Sequence, residues 1–128
     1  MAFGTLKADT LTHSTAGSVD TNYVVNGSTK VWATWDSSND PATLEDSFNT
    51  SSLTDVDQGV FQVNINNTMS NAYYSAVGMI RFYHMAVQTN LPTTSVLTVR
   101  TFSVSGTQGQ RSSYDNVYMT AQIVGELA

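Results

Sequence analysis

The 128-residue chain contains no cysteine. Disulfides and thiolate metal sites are therefore excluded, and the fold must be held without the cross-links that small exported domains often use. This fits a protein made in a reducing cytoplasm. Charge is sparse as well: Lys, Arg, Asp and Glu make up 12% of the residues, about half the share of an ordinary globular domain. Good helix formers are few, with Glu45 and Glu126 the only Glu and Lys7 and Lys30 the only Lys. No apolar run approaches the ~20 residues of a membrane-crossing helix, so no membrane insertion is expected. The opening Met1-Ala2-Phe3-Gly4-Thr5 has neither the charged nor the apolar region of a signal peptide.

What fills the chain instead is Ser, Thr and Asn, about a third of all residues. Thr with Val, Tyr, Phe and Trp favours strands, while Asn, Ser, Asp and Gly favour turns. The net charge is −5. The five bases, Lys7, Lys30, Arg81, Arg100 and Arg111, are scattered. Neither the clustered basic face of a nucleic-acid binder nor a basic membrane patch is present.

Residues 1–26 are polar and lack a clear apolar period. They read as an N-terminal arm, with Thr10 to Ser18 as loop. Such an arm is either a frayed terminus or a segment that orders on a neighbouring subunit or particle. The remainder, 27–128, reads as one β domain. Val31, Ala33 and Trp35 share one face of a strand, and Trp32 and Thr34 the other. Asp40-Pro41 could cap a single helical turn, and Ser47 to Thr54 reads as one strand with room for a bulge. Asp55 to Gly59 is a hairpin loop leading into Phe61, Val63 and Ile65, which alternate with Gln62, Asn64 and Asn66. Asn67 to Asn71 is a turn. Ala72 to Val87 carries large side chains on both faces, with Gly78 as a break or bulge, which places it inside a sandwich or at a subunit interface. Ser95 to Val104 and Asn116 to Val124 complete the set. The expected fold is all-β: an antiparallel, jelly-roll-like sandwich or a small barrel of six to eight strands, with an extended arm.

The chemistry-bearing residues are thin. His13 and His84 are the only histidines, too few to suggest a metal site. Asp55 and Asp57, and the set Asp36, Asn39 and Asp40, could offer oxygens to calcium, but without the spacing of an EF-hand loop they read as turn formers. No nucleophile elbow is present, and both Glu lie in polar contexts, so no catalytic residue, metal or cofactor is expected. Trp32, Trp35, Tyr73, Tyr74, Phe82 and Tyr83 could stack on sugar rings or pack in a core and between subunits.

From Lys30 to Tyr74 the sequence resembles a module common in phages of marine bacteria. Its parts here are Lys30, Trp32 and Trp35; Ser47-Phe48-Asn49 with Ser51 to Asp55; Gly59, Phe61 and Val63-Asn64; then Met69, Ala72 and Tyr74. Gly4 to Thr10 is similar to the lead-in of that module. The segment Asp36 to Asp46 departs from it, with an acidic, Pro-containing loop in place of a shorter Gly-rich turn. The resemblance implies a virion surface protein made in the host bacterial cytoplasm: a capsid decoration, head-fibre or tail-fibre component, commonly a homotrimer. Its partners would be other virion proteins of the capsid or tail scaffold. On that reading Phe3, Leu6 and Leu11 anchor the arm to the particle, and Trp32, Trp35, Tyr74, Phe82, Tyr83, His84 and Met85 pack the oligomer. A receptor-binding module for a host surface glycan or protein is the alternative, using loops such as Asp36–Asp46 and Ser105–Tyr114.

Overall fold

The computed structural model describes residues 7–81, 84–87, 92–105, 110–113, 115 and 118–128. Phe3, Leu6, Phe82 and Tyr83 lie outside them, and His84 and Met85 are described by their backbone alone. The architecture is a β-sandwich of two antiparallel sheets, preceded by a small hairpin–helix unit.

One sheet holds four strands, β3 (Thr29–Asp36), β4 (Thr43–Phe48), β7 (Ser75–Ile80) and β11 (Met119–Val124), in the order β4-β3-β11-β7. The other is built on β5 (Thr50–Asp57), β6 (Val60–Ile65) and β9 (Val96–Ser105), with β8 (His84–Val87) and β10 (Gln110–Ser113) both paired to β9. The alternation in the sequence decides which residues face inward. Val31, Ala33 and Trp35 of β3 and Met119, Ala121 and Ile123 of β11 meet Phe61, Val63 and Ile65 of β6 and Leu97 and Val99 of β9 in one core. Trp35 is fully buried and its ring lies 5.9 Å from that of Phe61, tilted by 53°, a favourable aromatic geometry. Its indole N–H is buried with no acceptor among the described residues.

Two strands expected from the sequence are each split at a corner. Ser47 to Thr54 is not one bulged strand. It breaks at Asn49, whose φ of 54° is left-handed, a region Asn tolerates better than most residues. The break carries the chain from β4 in one sheet to β5 in the other. Ala72 to Val87 likewise divides into β7 and β8, in different sheets. Gly78 makes no bulge: it pairs in register with Ala121. Val77 and Met79 of β7 are exposed, so of the two places expected for this segment, the sandwich interior does not hold for that strand.

Three further features differ from the sequence reading. Asp40-Pro41 starts no helix, and residues 38–41 are a run of bends with a cis peptide at Asp40-Pro41. β10 falls where a loop is expected. Met69, within the expected turn, is a core residue that bridges to Leu127. Gly125 makes that approach possible, since a Cβ there would lie 2.8 Å from Met69 Cε and 2.9 Å from Tyr74 Cβ.

Candidate functional site

Residues 10–18 are not a loop. β1 (Thr10–His13) and β2 (Gly17–Asp20) form a hairpin in which Leu11 sits opposite Val19. Two local devices close it. Gly17 takes a φ of 91°, and His13 Nδ1 accepts hydrogen bonds from the backbone N–H groups of Thr15 (3.2 Å) and Ala16 (3.1 Å). Asp20 then caps α1 (Thr21–Gly27), its Oδ1 accepting from Asn22 N at 2.8 Å. Thr21 N–H donates to Asp9 O, tying the helix start to the strand before it.

This unit has an unusual energetic position. Every described residue from Lys7 to Ser28 is exposed except Thr21, which is half-buried. A two-stranded hairpin alone is marginal in water, as is a helix much shorter than ~12 residues. Leu11, Val19, Tyr23, Val24 and Val25 nevertheless remain open to solvent. Leu11, Val24 and Val25, with Lys7, Ala8, Asp9 and Thr21, line a shallow groove of about 420 Å³. Its link to the sandwich runs through Lys30 at the start of β3, which is only 9% exposed. Lys30 Nζ donates to Val25 O and to Ser28 O and Oγ, placing a cation at the carbonyl end of α1, where the helix dipole favours it.

A second apolar surface is the outer face of the four-stranded sheet. Register places Phe48, Trp32, Gln122 and Val77 in one row across β4, β3, β11 and β7. The next row is Asp46, Thr34, Thr120 and Met79, joined at its centre by a 3.4 Å Thr34–Thr120 hydroxyl contact. Phe48, Val77 and Met79 are 55%, 53% and 73% exposed. Trp32 is half-buried in the middle.

A third surface is polar. The loop Ser37 to Asp40 with Gln58 and Asp115 lines a groove of about 310 Å³, beside another of about 400 Å³ lined by Asp40, Pro41, Asp55, Val56, Asp57, Gln58 and Asp115. The carboxylates there hold turns. Asp36 accepts from Ser38 N (2.8 Å), Asp55 from Ala42 N (2.9 Å), Asp57 from Gln58 N (2.8 Å) and Asp115 from Gly59 N (2.7 Å). Among the described residues no group of three or more His, Asp or Glu is arranged to hold a metal ion.

The residues singled out from the sequence thus separate. Trp35 packs within its own core. Trp32 lies on the outer sheet face. Tyr74 is half-buried, and its hydroxyl donates to the carbonyls of Thr93 (3.1 Å) and Val96 (3.3 Å); burial raises its pKa above the usual tyrosine value. Leu11 lines the groove of the hairpin–helix unit. By sequence Val19, Tyr23 and Val24 read as apolar anchors of the first segment and Phe48 as an anchor of its strand; the structure leaves all four exposed, and Val25 with them. The signal was present for Val77 and Met79: they alternate with the small Ala76 and Gly78, a two-faced pattern.

No known family matches the chain, and no curated protein or solved structure matches it. No helix among the described residues is long and apolar enough to cross a membrane.

Proposed function

We propose that the protein is a non-enzymatic structural component of a phage virion surface, a decoration or head-fibre protein that docks through its N-terminal hairpin–helix unit and associates with further copies of itself. One observation carries this reading: a folded unit that buries no side chain of its own yet presents Leu11, Val19, Tyr23, Val24 and Val25. Ordering such a segment costs about 1–2 kcal/mol per residue in backbone entropy, and docking these five apolar side chains on a scaffold would offset part of that cost. The Ser-, Thr- and Asn-rich sandwich is then the exposed head, and a homotrimer is the stoichiometry implied by the resemblance to phage modules.

The test is incorporation. The full chain carrying Leu11→Asp and Val24→Asp is expected to keep the unfolding transition of the sandwich and lose co-sedimentation with phage particles. Undiminished incorporation would overturn the reading. A second reading, a receptor-binding module, draws on the polar grooves around Asp40, Gln58 and Asp115, whose mix of carboxylate, amide and hydroxyl groups suits a glycan. A glycan array probed with the purified chain separates the two.

A further inference from the structure

The two flanks of the sandwich, where the sheets end in unpaired strands, are built on opposite plans. One flank ends in β4 and β5. β4 carries Glu45 and Asp46, and its pairing with β3 shifts register between Thr34 and Trp35. β5 carries Asp55 and Asp57, and its pairing with β6 shifts register twice. Charge and bulges are the usual protection of a sheet edge against joining another strand.

The other flank has neither. β7 reads Ser-Ala-Val-Gly-Met-Ile, without Lys, Arg, Asp, Glu or Pro. Its six-residue register with β11 is unbroken. Among the described residues nothing pairs with its outer side. β8 (His-Met-Ala-Val) lies beside it at the margin of the second sheet, also free of those residues and of bulges in its pairing with β9. β10 is a further margin, but it carries Arg111.

From this asymmetry we infer that the β7–β8 flank is a self-association surface, at which a second copy of the chain adds β7 antiparallel to β7 and extends the four-stranded sheet across a two-fold axis. The inference rests on the self-association proposed above, puts a two-fold pair in place of the homotrimer that the resemblance implies, and stands apart from docking by the N-terminal unit.

Three arguments favour a second copy as the occupant. Identical strands pair antiparallel about a two-fold axis normal to the sheet, and that operation keeps the outer face outer. Opposed residues must then share a face, so the axis passes through a residue and not between two. Centred on Gly78, the register sets Val77 against Met79 of the second copy and Ala76 against Ile80. Centred on Val77, it sets Val77 against itself. Both registers continue the apolar outer rows. The second argument is electrostatic: two copies, each of net charge −5, meet with least repulsion where neither carries a carboxylate, whereas a basic partner would be drawn to the β4–β5 flank. The third is size. Six residues span about 20 Å and two packed sheets lie about 10 Å apart, which puts the contact at the low end of specific interfaces, on the order of 1,000 Å² in total. The pair should therefore form and dissociate with concentration.

The experiment is sedimentation velocity on the purified full chain up to high micromolar concentration. A monomer–dimer equilibrium is expected. Met79→Lys or Val77→Lys should shift it at least tenfold toward monomer, while Phe48→Lys, at the opposite edge of the same sheet, should leave it unchanged. Because the chain has no cysteine, introduced thiols report the register without background. Val77→Cys alone should self-cross-link if the axis lies on Val77. A mixture of Val77→Cys and Met79→Cys chains should cross-link if it lies on Gly78. Directly opposed residues, about 4.5–5.5 Å apart at Cα, are within disulfide reach. A monomer at every concentration overturns the inference. So does a dimer or trimer that neither lysine variant weakens, or wild-type dimer in which neither thiol pairing forms. If Leu11→Asp with Val24→Asp abolishes particle binding but leaves the dimer intact, the two proposals are shown to fail or hold separately.

Discussion

Asn49 grips the backbone of Asn67 from both sides: its Nδ2 donates to Asn67 O at 3.0 Å, and its Oδ1 accepts from Asn67 N at 2.7 Å. The neighbouring Asn66 N donates to Asn49 O at 3.0 Å. The amide thus acts as a short piece of strand at the point where the chain leaves one sheet for the other. Replacing it separates two effects. Asn49→Gly keeps the left-handed φ and loses the side-chain bonds, a cost of about 1–2 kcal/mol. Asn49→Ala loses the bonds and adds about 1 kcal/mol of backbone strain. Urea denaturation should rank the stabilities wild type, then Gly, then Ala; equal Gly and Ala values would remove the strain argument.

Trp35 gives a second contrast. Truncation to Ala should cost about 3–5 kcal/mol, as for any large buried ring. Trp35→Phe also loses volume, but it removes an indole N–H that is buried without an acceptor among the described residues, a group whose burial unpaired costs about 1–3 kcal/mol. The Phe variant should therefore lose less than about 2 kcal/mol in the same urea assay.

The Tyr74 hydroxyl sets an alkaline limit. Its folded pKa is raised by burial, so the unfolded chain ionises first as pH rises. The stabilisation is complete below the ordinary tyrosine pKa of 10.0 and is lost progressively above it. The drop in melting temperature on passing through that range should be smaller in Tyr74→Phe than in wild type. Identical alkaline slopes would count against it.

Lys30→Met keeps the aliphatic stem and removes the three donors that hold the end of α1. Hydrogen exchange and limited proteolysis should quicken in residues 7–27 while the unfolding of the sandwich changes little. A global loss of stability would mean that Lys30 serves the core instead.

Gly125→Ala tests the tight C-terminal approach. A Cβ at 2.8–2.9 Å from Met69 and Tyr74 forces repacking of a kind that typically costs about 1–3 kcal/mol. A neutral change in melting temperature would show that Met69 yields freely.

How much of this was legible in the sequence depended on period. Val31, Ala33 and Trp35, Phe61, Val63 and Ile65, and Met119, Ala121 and Ile123 alternate strictly, and each inward set was readable because a half-buried strand repeats every two residues. The corners were not. Asn49 sits among Ser47, Ser51 and Ser52 in a chain where Ser, Thr and Asn recur throughout, so one more turn-favouring residue does not announce that the strand changes sheet; the partner that holds it is Asn67, distant in sequence. The hairpin of residues 10–20 was hidden for a similar reason: Thr10, Thr12, Ser14 and Thr15 look like loop, and the turn is closed by a histidine ring nitrogen instead of an Asn-Gly pair. Leu11 was legible as an apolar exception in a polar arm. The groove it shares with Val24 and Val25 depends on the helix folding back, which single-residue patterns do not encode.

The carboxylates on β4 and β5 give the molecule a polarity that bears on how large an assembly can become. If both margins welcomed a neighbour, each added copy would expose a fresh acceptor and growth would run on into a fibre. With one margin acidic and kinked, a union at the other leaves only repelling ends outward, and the process terminates at a finite particle.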